Sequence, residues 1–156
     1  MPETEPVTIQ REAFVVQRRE RLFALVRDVA SYPSWFAWCR EGRVLSRGGG
    51  DPPWEIASLT VEVAGMPVRF VTRNRYLEPE RIEMSLVEGP FRSLEGCWNF
   101  HAIGAEATRV AFSLRFEPRA RWIGVALGRG FARLADRMVD DFCRVAGRFR
   151  EEPGVD

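Results

Sequence analysis

Apolar side chains recur along this chain at two periods, and each change of period marks a change of element. Val7, Ile9, Ala13 and Val15 alternate with polar neighbours, which predicts a first strand over 7–16 with an irregularity near Arg11. Leu22, Phe23, Val26 and Val29 are spaced for one face of a helix over 18–29. Ser31-Tyr32-Pro33-Ser34 ends that helix, because Pro33 disfavours helical geometry at Tyr32, and Trp35-Phe36-Ala37-Trp38-Cys39 reads as a short second helix. A strand over 43–47 then runs into the turn Gly48-Gly49-Gly50-Asp51-Pro52-Pro53.

Four more strands follow, over 54–63, 67–77, 81–87 and 94–102. They are separated by Ala64-Gly65-Met66, Glu78-Pro79-Glu80 and Glu88-Gly89-Pro90. A last strand over 108–117 puts Val110, Phe112, Leu114 and Phe116 on one face and Arg109, Ser113, Arg115 and Glu117 on the other, the mark of an antiparallel sheet wet on one side. From 122 to 149 the period turns helical through Leu127, Phe131, Leu134, Met138, Phe142, Val145 and Phe149, with Arg133, Asp136, Arg137, Asp140, Asp141 and Arg144 between them. Burying both apolar stripes requires an α+β arrangement, a curled antiparallel sheet of about seven strands with the long last helix across its concave face. This predicts one domain over 7–150, with flexible termini at 1–6 and 151–156. Gly124, Gly128 and Gly130 crowd the start of the last helix, either for close packing on the sheet or as a lid that admits a ligand.

Composition narrows the classes. A chain of 156 residues with 46% apolar residues and five Trp has a core, not a disordered body. No stretch approaches the roughly 20 apolar residues that span a bilayer, and the first ten residues lack the pattern of a leader, so a cytoplasmic protein is expected. Cys39, Cys97 and Cys143 are an odd number at wide spacing, which suggests neither a disulfide framework nor a zinc site, and no cofactor is indicated. Net charge is only +1, yet all 23 basic residues are Arg. Either an anion-binding surface or a GC-rich genome accounts for that bias.

Several stretches resemble the START-like, helix-grip superfamily, in the branch that holds coenzyme Q-binding proteins, the bacterial ribosome association toxin and polyketide cyclase/dehydrase proteins. They are Val29 with Ser31-Tyr32-Pro33 and Cys39, then Thr72-Arg73-Asn74, Leu86-Val87-Glu88-Gly89-Pro90-Phe91, and Leu94, Gly96, Trp98 and Phe100. Phe112 to Phe116 and Phe131 extend the likeness to nearly the whole chain. The resemblance implies a lipophilic cavity between sheet and last helix that binds an isoprenoid quinone such as ubiquinone, or a related lipid, without catalysis. It also implies peripheral contact with the inner membrane face, a ribosomal partner as an alternative, and polyketide cyclisation or dehydration as a second alternative.

Parity and helical spacing assign the cavity wall. Phe70, Thr72, Asn74, Met84, Leu86, Trp98, Phe112, Leu114, Leu127, Phe131 and Met138 should face one another, with Tyr32 at the mouth and Trp35 either on an apolar rim that touches ligand or membrane or in the core. Thr72 and Asn74 either offer polar contacts to a ligand head group or bond neighbouring backbone, and Tyr32 either meets a ligand or secures the helix turn. No carboxylate is placed inside by this reading, and His101 faces away. Arg69, Arg73, Arg75, Arg109 and Arg115 lie on the outer face, either as an rRNA-binding patch or as cross-strand partners of Glu62, Glu83, Glu95 and Glu117.

Overall fold

The alternating segments form seven strands: β1 (Val7–Val15), β2 (Cys39–Gly48), β3 (Trp54–Val63), β4 (Met66–Leu77), β5 (Arg81–Glu88), β6 (Phe91–Ile103) and β7 (Ala107–Pro118). The computed structural model describes residues 6–119 and 121–151, the side chains of 121–127 and 149–151 excepted. The ends expected to fray therefore fall almost wholly outside the described residues. Every strand pairs antiparallel with its neighbour, in one sheet of order β1-β7-β6-β5-β4-β3-β2. Helix α1 (Arg19–Arg27), a single 3₁₀ turn at Val29–Ser31 and helix α2 (Tyr32–Trp35) connect β1 to β2, and α3 (Arg121–Glu151) is the last element of the described residues.

Strand alternation decides what is buried. Phe70, Thr72, Asn74 and Tyr76 of β4, Leu94, Trp98 and Phe100 of β6, and Val110, Phe112, Leu114 and Phe116 of β7 are all buried on one face. Across it α3 lays Phe131, Leu134, Ala135, Val139, Phe142 and Val145. Two knots of rings join the layers. Phe131 lies 5.0 to 5.7 Å from Phe70, Phe91 and Phe116. Phe142 lies 4.5 to 6.2 Å from Tyr32, Phe36, Trp38 and Trp98. Such pairs contribute about 0.5–1.5 kcal/mol each beyond the area they bury.

Polar contacts fix the helix in register. Arg11 shares the inner face of β1 with Val7, Ile9 and Ala13, and its guanidinium reaches Asp136 at 2.5 Å and Asp140 at 3.1 Å. Trp38 Nε1 donates to the buried Asp141 Oδ2 at 2.9 Å, and Arg144 and Arg137 hold the same carboxylate at 3.0 and 3.4 Å. A buried carboxylate is tolerable because every approach to it is a donor.

Two expectations need correction, and an open one is decided. The second helix spans Tyr32–Trp35 rather than 35–39: Pro33 occupies its first turn, where a missing amide proton costs nothing, so the residue taken as a stop is a start. Arg11 marks no irregularity, since β1 pairs with β7 in unbroken register. Its inward position is explained instead by the two α3 carboxylates. At Gly130 an added Cβ would sit 2.5 Å from Val63 Cγ1, so this glycine serves close helix-to-sheet approach, not a lid. Gly124 lies outside the residues whose side chains are described.

If Asp141 anchors the α2–β2 loop to α3, Asp141→Ala should lower unfolding free energy by about 1–3 kcal/mol by leaving the Trp38 N–H unpaired. Asp141→Asn keeps an acceptor and should cost less. Urea titrations followed by Trp fluorescence measure both, and equal stability of all three proteins would refute the anchoring role.

Candidate functional site

Between the two ring knots the helix presents Leu134, Ala135 and Met138, and there the layers do not close completely. A cavity of about 70 Å³ remains. Ten of the thirteen residues assigned from sequence line it: Tyr32, Phe70, Thr72, Asn74, Met84, Trp98, Phe112, Leu114, Phe131 and Met138. Val26, Val29, Trp38, Ala57, Leu59, Val61, Tyr76, Ile82, Leu94, Leu134, Ala135 and Phe142 complete the wall. The expected elongated pocket is thus reduced to a single small chamber, well below the roughly 300–1,000 Å³ typical of sites for drug-sized molecules.

Three assigned residues stand elsewhere. Trp35 is 38% exposed and outside the lining, because α2 ends at this residue and turns its ring outward. Leu86 is only partly buried and packs on the core beside the cavity. The Leu127 side chain lies outside the described residues.

One strand supplies most of the polarity. Thr72, Asn74 and Tyr76 alternate down the inner face of β4, each no more than 5% exposed, and their side chains form a continuous chain. The Thr72 hydroxyl donates to Asn74 Oδ1 at 2.8 Å, and Asn74 Nδ2 donates to the Tyr76 hydroxyl at 3.5 Å. Tyr76 in turn donates to Glu55 Oε1 at 2.8 Å, and Glu55 Oε2 meets Arg47 at 3.3 Å. The Arg27 guanidinium lies 4.3 Å from the centre of the Tyr76 ring.

Glu55 is a buried carboxylate where none was expected. Its neighbours at the same parity on β3, Ala57, Val61 and Val63, are all buried and apolar. A carboxylate in register with such a row is the signal that could have found it. Tyr32 resolves differently: its hydroxyl donates to the Val26 carbonyl, tying α2 to the end of α1 while the ring lines the cavity.

Burial, followed for Tyr76 by the hydrogen bond to Glu55, raises both phenols above their ordinary value, so neither is a base near neutral pH. Burial also pushes the Cys39 and Cys143 thiols up to about 11. Among the described residues no group of His, Cys, Asp and Glu is arranged to hold a metal ion. His101 is exposed on the outer face, as its parity indicates.

The outer Arg row is mostly paired. Arg75 meets Glu83 at 2.7 Å, Arg109 meets Glu12 at 3.0 Å and Arg69 meets Glu88 at 3.8 Å. Arg73 instead lies over Trp54, 4.6 Å from the ring centre. No ion pair is formed by Arg43, Arg73 or Arg115 among the described residues. No helix of the described residues is long and apolar enough to cross a membrane.

Comparison with known proteins places this geometry. Residues 17–143 match the family described as polyketide cyclase/dehydrase and lipid transport. Ribosome association toxin RatA of Pseudomonas aeruginosa is 37% identical over 138 residues, covering 88% of this chain and 94% of that protein. RatA of Escherichia coli is 39% identical over 134 residues, covering 86% and 83%. Among solved structures, the Zhui aromatase/cyclase of a Streptomyces species superposes with a TM-score of 0.83 at 20% identity, covering 96% of this chain and 99% of that one. That likeness is one of fold.

The buried phenols and thiols set an alkaline limit to stability. A group titrating higher in the folded than in the unfolded chain stabilises fully below its unfolded value, and that contribution is lost as pH rises toward the folded value. Stability should therefore fall as pH rises above 9, first through Cys39 and Cys143 and then through Tyr76 and Tyr32. Burial raises the Cys97 thiol as well, so it adds to the same limb. Urea midpoints from pH 8 to 11 test it: Tyr76→Phe should flatten the decline above pH 10, and an unchanged slope would contradict the assignment. At pH 8 the same variant should cost about 1–3 kcal/mol, because Glu55 and Asn74 lose a buried partner.

Proposed function

Because the chain belongs to the polyketide cyclase/dehydrase and lipid transport family, and aligns with RatA proteins over most of both lengths, we propose that it is a ribosome-directed regulator that acts by binding. The observation that carries this reading is 37% identity sustained over 94% of a ribosome association toxin, which leaves little of that protein unrepresented here. The outer face supports it at a few positions only. Arg43 on β2 and Arg73 on β4 project from the same face, two strands apart, without carboxylate partners among the described residues. Arg73 above Trp54 adds a flat cation-on-ring surface of the kind that meets bases and phosphates. The paired arginines around them contribute little net field.

Sucrose-gradient sedimentation of ribosomes with added protein tests the reading. The protein should travel with a ribosomal subunit and reduce joined ribosomes, and Arg43→Glu with Arg73→Glu should weaken co-sedimentation at least tenfold, with steep salt dependence. Absence of wild-type protein from every ribosomal fraction would remove the proposal. Loss of binding only on reversing Arg115 would move the contact to another part of the face.

A second reading is favoured by one observation: a chain of polar side chains runs along the wall of an otherwise apolar chamber. On this reading the chamber holds an apolar ring compound, a quinone ring or a related lipid head. At about 70 Å³ it accepts a single ring only after Met84 or Met138 swings aside, and an isoprenoid tail needs more room than this. Trp98 lines the chamber, so a ring entering it should quench Trp fluorescence saturably. Protein that shows neither quenching by ring compounds nor an extractable ligand would argue against any cargo.

A further inference from the structure

The hydrogen bonds of the polar row have a direction, and that direction specifies what the chamber recognises. Glu55, ion-paired to Arg47, can only accept, so the Tyr76 proton is committed to it at 2.8 Å. The Tyr76 oxygen must then accept, which turns the amide nitrogen of Asn74 toward it and the amide oxygen toward Thr72. Thr72 in its turn spends its only proton on Asn74 Oδ1 at 2.8 Å. Each choice is forced by the one before it, so the charge at Glu55 sets the amide orientation of Asn74 and the hydroxyl orientation of Thr72.

Two capacities are left at the chamber end. The Thr72 oxygen keeps its lone pairs, and no donor among the described residues reaches it. Asn74 keeps its second N–H. Both side chains are 5% exposed and line the cavity. A buried acceptor at the end of a chain of like-directed bonds is polarised toward accepting a further hydrogen bond.

We infer that the chamber selects a ring compound carrying a hydroxyl donor, a phenol or a reduced dihydroxy ring, over an apolar or fully oxidised ring of the same size. The hydroxyl donates to Thr72 Oγ1 while its own oxygen takes the free Asn74 N–H, and the ring lies among Trp98, Phe112 and Met138. A carbonyl carried by an oxidised ring satisfies Asn74 but leaves Thr72 without a donor, and a bare ring satisfies neither. This rests on the cargo reading above. It adds the chemistry of the head group, which neither the family nor its relatives specify.

Phenol and toluene are suitable probes, being close in shape and different in the one group at issue. Their affinities for the full chain are measured by calorimetry or Trp quenching, for the wild type and for Thr72→Val, which keeps the side-chain shape. Thr72→Val should weaken phenol about tenfold, the worth of one hydrogen bond to a buried partner, and leave toluene unchanged or tighter. Thr72→Ser restores the hydroxyl and should restore phenol binding. If both rings bind and their ratio is the same in wild type and Thr72→Val, the hydroxyl selection is wrong while the cargo reading stands. If neither ring binds the wild type, the cargo reading fails and the selection fails with it.

Discussion

A curled sheet that carries Phe70, Trp98, Phe100, Phe112 and Phe116 on one face cannot face water on that side, and the whole molecule is arranged to cover it. One helix of 31 residues covers most of it, and α1 closes the end at Phe100, where the ring of Phe23 lies 5.8 Å away. A straight rod on a curved sheet meets it best at a few places, and here those places are the rings of Phe131 and Phe142. The two are eleven positions apart, three turns along the same stripe. Between them the helix carries Leu134, Ala135 and Met138, whose side chains are smaller or more yielding. The chamber is therefore a consequence of where the rings stop, and its lining by sheet aromatics follows from the same constraint. Closing it further would need a larger side chain at Ala135, which is 2% exposed and against the sheet.

The helix must also be held along its length, since an apolar stripe alone tolerates sliding by a turn. Trp38 supplies the register, since it meets Asp141, which another helical turn would carry out of reach, while Arg11 ties β1 to both Asp136 and Asp140, one turn apart. The exposed Arg11 pairs are worth under about 1 kcal/mol each, whereas the buried Trp38–Asp141 bond adds stability as well as position.

Much of this was legible because sheet faces obey a period of two. Once Phe70 is inward, Thr72, Asn74 and Tyr76 are inward too, and the stripe from Phe131 to Phe142 has no other face to meet. What escaped is instructive for the same reason. Glu55 was not placed inside and Arg11 was read as an irregularity in the first strand, although their parity puts both on the inner face. In both cases a distant residue makes the burial tolerable: Tyr76 and Arg47 for Glu55, Asp136 and Asp140 for Arg11. No local pattern shows such partners. Pro33 misled in the opposite sense, since a proline that ends one helix and a proline that begins the next look alike until the neighbouring backbone is known. The cavity's small volume was likewise invisible, because it depends on how rings tilt rather than on which face they share.

The likeness in fold to an aromatase/cyclase at 20% identity sharpens the question of function rather than answering it. A grip of this shape supplies an apolar chamber whatever the side chains are, so the chemistry must come from the few polar groups placed inside. Here those groups belong mainly to one strand and end in a carboxylate that is already ion-paired. Tyr76, kept protonated by burial and by Glu55, donates away from the chamber, so its proton is not offered to anything bound there. General acid or base work at the chamber would require that chain to break first, with loss of the bond to a buried carboxylate. Binding requires no such break: Thr72 and Asn74 each retain one unfilled hydrogen-bonding capacity, and a ligand can use both with the row intact. The polar row thus favours recognition over transformation, in a molecule whose opposite face presents Arg73 and Arg43 outward.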